Sequence, residues 1–372
     1  MSRFILITGG AGFIGSHLAD ALLARGHRVR ALDNLSPQVH GDGAARPDYL
    51  DPEVELLVGD VRDPAAVRRA LQRVDAVVHL AAAVGVGQSM YEIAHYTAVN
   101  NGGTAVLLEA LAHAPVDRLL VASSMSLYGE GLYQDAAGEP RVAPERPLEQ
   151  LRRADWEVRG EDGEPLRPVP TPETKTPSLA SVYALSKFDQ ERLCLMLGAA
   201  YGIPTTALRF FNVYGTRQAL SNPYTGVLAI FASRLLNGRR PMVFEDGRQR
   251  RDFVSVRDVA AACVLALESS AAAGEALNVG CGESFAIAEI AERLARVLGR
   301  EELAPELTGT YRMGDIRHCF ADIGRAGALL GYRPSVALDA GLGELAHWLD
   351  TQVPTDRADE ARAELAARGL TV

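Results

Sequence analysis

The chain has 372 residues, 48% of them hydrophobic, enough for one large or two modest domains with a sizeable core. Its formal charge of −9 gives no basic footprint for nucleic acid or an anionic membrane, and no apolar stretch is long enough to span a bilayer. Cys194, Cys263, Cys281 and Cys319 are scattered, with no CxxC pair and no histidine cluster beside them. They are expected to be reduced and mostly buried, with no metal site. A strand begins almost at once, without a signal-peptide pattern, so the expected location is the cytoplasm.

In chain order, Phe4-Ile5-Leu6-Ile7 is an apolar run of the kind found in a strand buried on both faces. Gly9, Gly12 and Gly15 follow in a G-x-x-G-x-x-G turn carrying Phe13 and Ile14, and a helix runs to Arg25 before Gly26. A strand, a tight glycine turn and a helix open a dinucleotide-binding unit, because the pyrophosphate needs close backbone approach and a helix N-terminus. Arg28 to Leu32 is the second strand, ending at Asp33-Asn34. An acid there can bond the adenosine ribose diol and repel a 2′-phosphate, favouring NAD over NADP; the alternative is a loop-capping Asp. Glu55 to Val58 leads to Asp60-Val61, placed to read an adenine amino group and face its ring, and Asp63-Pro64 opens a helix. Ala76 to Leu80 is the fourth strand, with Ala81, Ala82 and Ala83 leaving room for a cofactor. His79 lies inside that apolar run and reads as a core histidine rather than a ligand. A helix runs through Asn100 to Ala112, and Arg118 to Ala122 is the fifth strand.

The fifth strand delivers Ser123-Ser124-Met125-Ser126, hydroxyls at the carboxyl end of a parallel strand, where such sheets bind ligands. A Ser-rich turn is the alternative. Residues 130–177, rich in Pro, Gly and charge, read as an insertion bordering the active site. Tyr183 and Lys187 then stand four apart on a helix from Ser181 to Leu197, one turn apart on one face. Leu185, Leu193, Leu195, Met196 and Leu197 are expected to bury that helix. The ammonium is expected to lower the phenol toward neutrality, where it can exchange a proton with an alcohol. Alone, this spacing is common on helices. Thr205 to Arg209 is the sixth strand, leading into Phe210-Phe211-Asn212. Beyond it the alternation is less regular. The turn at Asp246–Phe253 is basic, its arginines candidates to grip a diphosphate or simply solvated, and Arg312–Arg317 is another charged turn. Leu338 to Leu349 is a last packed helix, and Arg357 to Arg368 reads as an exposed helix or frayed tail.

Taken jointly and in order, the glycine turn, Asp33, Asp60-Val61, Ala81–Ala83, Asn100, Ser123-Ser124, Tyr183-x-x-x-Lys187, Arg209–Gly215 and Arg251-Asp252-Phe253 resemble the extended short-chain dehydrogenase/reductases that act on nucleotide sugars. The resemblance implies an α/β fold, a Rossmann-type doubly wound parallel sheet with a smaller C-terminal substrate domain. The sheet domain spans 1–208, with 252–279 returning to it; the substrate domain is 209–251 with 280–350, and 351–372 is a tail. NAD is expected on the residues from Gly9 to Ala83 named above, on Leu80, Asn100, Ser123 and Phe210, and on Tyr183 and Lys187. Ser124, Met125, Ser126, Asn212, Arg217, Arg251, Arg312 and Asp315 would meet a nucleotide-sugar substrate. Homodimers through the helices at 101–112 and 181–201 are also implied.

Dehydratases of this family carry an Asp and a Glu where Met125 and Ser126 stand, so Ser124, Tyr183 and Lys187 are similar to the 4-epimerase arrangement. The run from Ser123 to Gly131, the insertion and Pro168–Glu173 resemble the dTDP-L-rhamnose 4-epimerases. Members of that subset carry a C-P-x-C-G knuckle where Arg159-Gly160-Glu161-Asp162-Gly163 stands here, without cysteine. UDP-hexose or UDP-hexuronate epimerases, a keto-reductase and a non-catalytic NAD-binding scaffold are the alternative readings.

Overall fold

A computed structural model describes residues 2–43, 45–224 and 226–371. Seven parallel strands form its central sheet: β1 (Phe4–Thr8), β2 (Arg28–Asp33), β3 (Glu55–Val58), β4 (Ala76–His79), β5 (Arg118–Ser124), β6 (Thr205–Phe210) and β7 (Ala276–Val279), in spatial order 3-2-1-4-5-6-7. The chain direction across the sheet reverses between β1 and β4, so a crevice opens at their carboxyl ends. Alternate residues of each strand face opposite sides. Ile5, Ile7, Val78 and Leu120 pack under helices α1 (Phe13–Leu23) and α6 (Val256–Glu268). Leu6, Val77, Leu119 and Val121 pack under α2 (Pro64–Ala70), α3 (Gly103–His113) and α4 (Val182–Tyr201). The unbroken apolar strands follow from this cover on both faces.

Local chemistry sets the helix ends. Asp63 Oδ1 accepts from the Ala65 N–H at 2.8 Å, with Pro64 in the first turn of α2. Ser181 Oγ accepts from the Ala184 N–H at 3.1 Å to start α4, and Gly202, at φ +70°, ends it. Along α4, Cys194 is buried, but Leu185 and Met196, expected inside, are 46% and 57% exposed. They lie on the face turned away from the sheet. A turn of π-helix at Thr97–Gly102 precedes α3.

A second core joins α5 (Val227–Leu236), α7 (Ile287–Val297) and α8 (Leu338–Leu349) through Phe231, Leu235, Ile290, Leu294, Leu342 and Leu345. The insertion forms a small antiparallel sheet in which Leu132–Gln134 lies between Pro140–Val142 and Arg167–Val169, over Tyr133, Val158 and Leu166. The Arg159–Gly163 stretch is a tight turn, held by Arg159 donating to Asp155 at 2.9 and 3.0 Å and to the Gly163 carbonyl at 2.9 Å. The final helix, α9 (Ala358–Ala367), is not a frayed tail: Ala358, Ala361 and Leu365 are buried. Among the described residues no helix is long and apolar enough to cross a membrane, and no cluster of His, Cys, Asp and Glu could hold a metal ion.

Candidate active site

The carboxyl ends of the central strands open into a cavity of about 650 Å³ that runs from the glycine turn to the second core. Gly9 sits at φ +71°, and a Cβ on Gly15 would collide with the Gly9 carbonyl oxygen. On Gly12 a Cβ would meet nothing nearer than that oxygen at 3.4 Å, so the turn leaves the cavity side of Gly12 clear for a phosphate. Asp33 does both things the sequence allows. It lines the cavity, and it caps the loop: Oδ2 accepts from the Ala11 N–H at 3.0 Å and Oδ1 from the Leu35 N–H at 2.9 Å. Asp60 accepts from Asn34 at 3.1 Å and from Arg62 at 2.9 and 2.7 Å, and the Arg62 hydrogen bonds hold its carboxyl well below the usual range. With Val61 and Ala81–Ala83 along the same wall, these residues fit NAD: a clear glycine turn, an acid at the end of β2 and an apolar floor.

Ser124, the last residue of β5, pairs in register with Phe210 on β6 and points its hydroxyl into the cavity. Ser124 Oγ donates to Ser126 Oγ at 3.0 Å and accepts from the Ser126 N–H at 3.1 Å. Tyr183 faces it from α4, fixed by its own N–H donating to Ser89 Oγ at 3.0 Å and by edge-on contact with Tyr96. Burial pushes the Tyr183 phenol above its ordinary value, and the hydrogen bond with Ser124 pulls it partly back. The expected fall toward neutrality is therefore absent from the protein on its own. Burial outweighs that hydrogen bond, and Lys187 is itself engaged: its Nζ donates to Gln190 Oε1 at 2.7 Å, and burial lowers its ammonium to about 8. Gln190 in turn donates to Thr104 at 2.8 Å. His79 is a satisfied core histidine, 2.7 Å from Thr8 Oγ1 and 2.9 Å from Thr104 Oγ1, and burial lowers it to about 3.

The residues singled out from the sequence line this cavity, except Asn100 and Arg217. Asn100 spends its amide on the protein: Oδ1 accepts from the Ala83 N–H at 2.7 Å, and Nδ2 donates to the Ala83 carbonyl at 3.1 Å and to Ser186 Oγ at 2.8 Å. It pins the Ala81–Ala83 wall from behind. Arg217, at φ +67°, turns away to pair with Asp20 at 2.8 Å. Ser123 lines the wall but donates to Glu191 at 2.6 Å, in a buried pair with Arg209. The insertion contributes no side chain to the cavity lining. It reaches the site indirectly, through fully buried Arg317, which pairs with Glu157, Glu245 and Asp246 at 2.5, 2.8 and 2.6 Å.

In the substrate half, Arg251 lines the cavity but spends donors on the Arg250 and Arg317 carbonyls, both at 3.0 Å, and on Ile316. Arg312 pairs with Asp315 at 3.2 Å and lies over Phe244. Among the buried polar atoms here that have no partner among the described residues are Asn212 Oδ1, Gln218 Oε1, Gln249 Oε1 and Arg312 Nε. All four side chains line the cavity, so a polar ligand is what would satisfy them. Gln218 and Gln249 carry no sequence signal. The α9 residues do: Ala358, Ala361 and Leu365 fall at i, i+3 and i+7, a helical stripe, and all three line the cavity with Arg362.

Residues 5–150 and 157–280 match the model of the NAD dependent epimerase/dehydratase family. The chain is 38% identical over 351 residues to a dTDP-L-rhamnose 4-epimerase of Burkholderia thailandensis, covering 93% of this chain and 94% of that one. Among solved structures it is similar to the UDP-glucose 4-epimerase of Thermotoga maritima with UDP-glucose, at TM-score 0.76 and 30% identity, covering 93% of this chain and 98% of that one. It is also similar to the Thermus thermophilus UDP-glucose 4-epimerase complex with NAD, at TM-score 0.74 and 32% identity, covering 94% of this chain and all of that one. With a doubly wound sheet, a glycine turn at its switch point and a Tyr183–Lys187 helix beside it, this chain belongs to the NAD dependent epimerase/dehydratase family, among its nucleotide-sugar 4-epimerases.

Proposed function

We propose that the protein inverts C4 of a nucleotide-linked hexose through a transient 4-keto sugar, and that dTDP-L-rhamnose is its substrate, giving dTDP-6-deoxy-L-talose. The observation that carries this reading is the wall formed by Ser124, Tyr183 and Lys187, with Met125 and Ser126 beside them where an elimination would need a proton-transferring acid and base. The carboxylates lining the cavity among the described residues are Asp33, Asp60 and Asp315; the first two stand by the glycine turn and the third pairs with Arg312. NAD, held along the wall from the glycine turn to Ala83, would supply a positive ring that favours a phenolate and the hydride acceptor and donor that C4 inversion needs. Tyr183 takes the proton from O4 and later gives it back, and Ser124 holds the oxygen as its charge changes. Lys187, in the same buried wall, stabilises the tyrosine anion. Asn212 and Arg251 hold the diphosphate while the sugar turns over between the two transfers, and Arg312 with Asp315 holds the nucleotide end. The reaction has no net redox change, so no external cofactor is consumed.

The dTDP-L-rhamnose assignment is supported by the 38% identity to the Burkholderia enzyme and by buried, apolar Met125 next to Ser124, which suits a sugar whose C6 is a methyl group. A UDP-hexose is the second reading, favoured by the likeness to two UDP-glucose 4-epimerases. The protein is further proposed to pair as a homodimer through α3 and α4, since Leu185 and Met196 are apolar and exposed along α4. The test is proton NMR of the purified protein with dTDP-L-rhamnose and no added cofactor. New anomeric and H4 signals growing to a fixed ratio from either epimer are expected. Silence there with conversion of UDP-glucose would move the substrate to the second reading, and silence on both would overturn 4-epimerisation.

A further inference from the structure

The C-terminal helix α9 is anchored at both ends across the mouth of the cavity. At its start, Asp356 and Asp359 pair with Arg234 on α5 at 3.4 and 3.2 Å and with Arg239 at 3.4 and 2.8 Å. The Pro354 carbonyl accepts from Asn237 at 2.9 Å, and the Thr355 N–H donates to Ser221 at 3.0 Å. Past its end, the Thr371 backbone forms an antiparallel bridge with Arg312, the Leu370 carbonyl accepts from the Met313 N–H at 2.9 Å, and Arg368 lies over the Tyr91 ring at 4.4 Å. Between these anchors Leu365 packs so close to Gly87 that a Cβ there would lie 3.3 Å from a leucine methyl. The helix thus joins the second core to a loop of the sheet half and forms part of the cavity wall.

One side chain on that wall carries charge into the cavity. Arg362 lines it together with Met242, Phe244 and Arg312. Its Nη1 is 3.6 Å from the Met242 sulfur, a weak acceptor that leaves the guanidinium fork largely uncommitted. Two acids of the same helix are taken elsewhere: Asp359 by Arg234 and Arg239, Glu364 by Arg368 at 2.6 Å. Among the described residues no carboxylate pairs with Arg362. Nearby, Arg312 keeps a buried Nε without a partner. Two guanidinium groups with free donors, beside an aromatic ring and a thioether, match a ligand with an anionic diphosphate and a flat base.

We infer that Arg362 is a substrate-binding residue, which from the C-terminal helix grips the diphosphate of a nucleoside diphosphate-linked substrate, beside the nucleotide end held by Arg312. This rests on the nucleotide-sugar reading above. The test is calorimetric titration of the NAD-loaded full chain with dTDP and with UDP over a range of salt, for wild type, R362Q, R362K and R368Q. Wild type is expected to bind at least one of the two nucleotides. R362Q should weaken that binding at least tenfold and flatten its salt dependence, with R362K in between and R368Q unchanged, because Arg368 stacks on Tyr91 outside the cavity. In turnover R362Q should raise KM by the same ratio and leave kcat within twofold. Retained NAD and an unchanged unfolding midpoint exclude a folding defect. R362Q binding within twofold of wild type, with the wild-type salt slope, overturns the role of Arg362 and leaves the nucleotide-sugar reading standing. Wild type binding neither nucleotide overturns both.

Discussion

Tyr183 and Lys187 were legible as a pair because four-residue spacing on a helix fixes one shared face. Their protonation was not legible, since it depends on burial and on Gln190 and Ser124, which come from other turns and other elements. Replacing the phenol is expected to cost at least about 100-fold in kcat for Y183F, with bound NAD retained, as general acid–base groups are typically worth 10²–10⁴. Steady-state turnover with cofactor content measured on the same sample checks this. Lys187 also has a signature in stability. Burial holds it at about 8, against about 10.4 in an unfolded chain. Between those values the unfolded chain binds more protons, so stability rises with pH. Wild type should therefore gain up to about 3 kcal/mol relative to K187M between pH 7 and pH 10.5, read from urea unfolding at each pH. A constant difference would mean that Lys187 titrates normally. Asn100 illustrates the opposite lesson: a polar residue in a family motif whose amide is consumed by Ala83 and Ser186, so it shapes the wall without touching the cavity.

At the scale of elements, the strands were readable because each is apolar and covered on both faces, and the helix starts because Asp63 and Ser181 sit where caps are needed. The insertion was not readable. Its middle strand, Leu132–Gln134, pairs with the adjacent Pro140–Val142 and, across a long loop, with Arg167–Val169, and its tie to the rest of the protein is an ion network between residues more than 70 positions apart. Arg317 is the centre of that network, with no exposed surface and three acids around it. R317M leaves those carboxylates facing one another, and breaking such a buried set typically costs about 3–5 kcal/mol. The urea midpoint should fall accordingly with NAD content unchanged, because none of these four side chains lines the cavity. The C-terminal helix was misread because alternating alanine and charge hides a narrow stripe, and a stripe of two alanines and one leucine is a weak apolar signal until something is packed against it.

For the whole molecule, the exposed Leu185 and Met196 on the outer face of α4 lead to a prediction about assembly. The double variant L185E/M196E should sediment at half the mass of wild type; a wild-type protein that already sediments at about 39.8 kDa would refute the dimer. The sequence by itself determined the nucleotide-binding half, since each part of it is local: a strand, a glycine turn, a helix start, an acid at a strand end, and a Tyr–Lys pair one turn apart. Its family follows from the same local pieces. The tertiary structure decided everything that depends on distant segments meeting. It put the orphaned polar atoms of Asn212, Gln218, Gln249 and Arg312 around one cavity. It turned Arg217 away toward Asp20 and brought Arg362 in from the far end of the chain. Side-chain direction and long-range closure are set by packing, which local spacing along a chain does not encode.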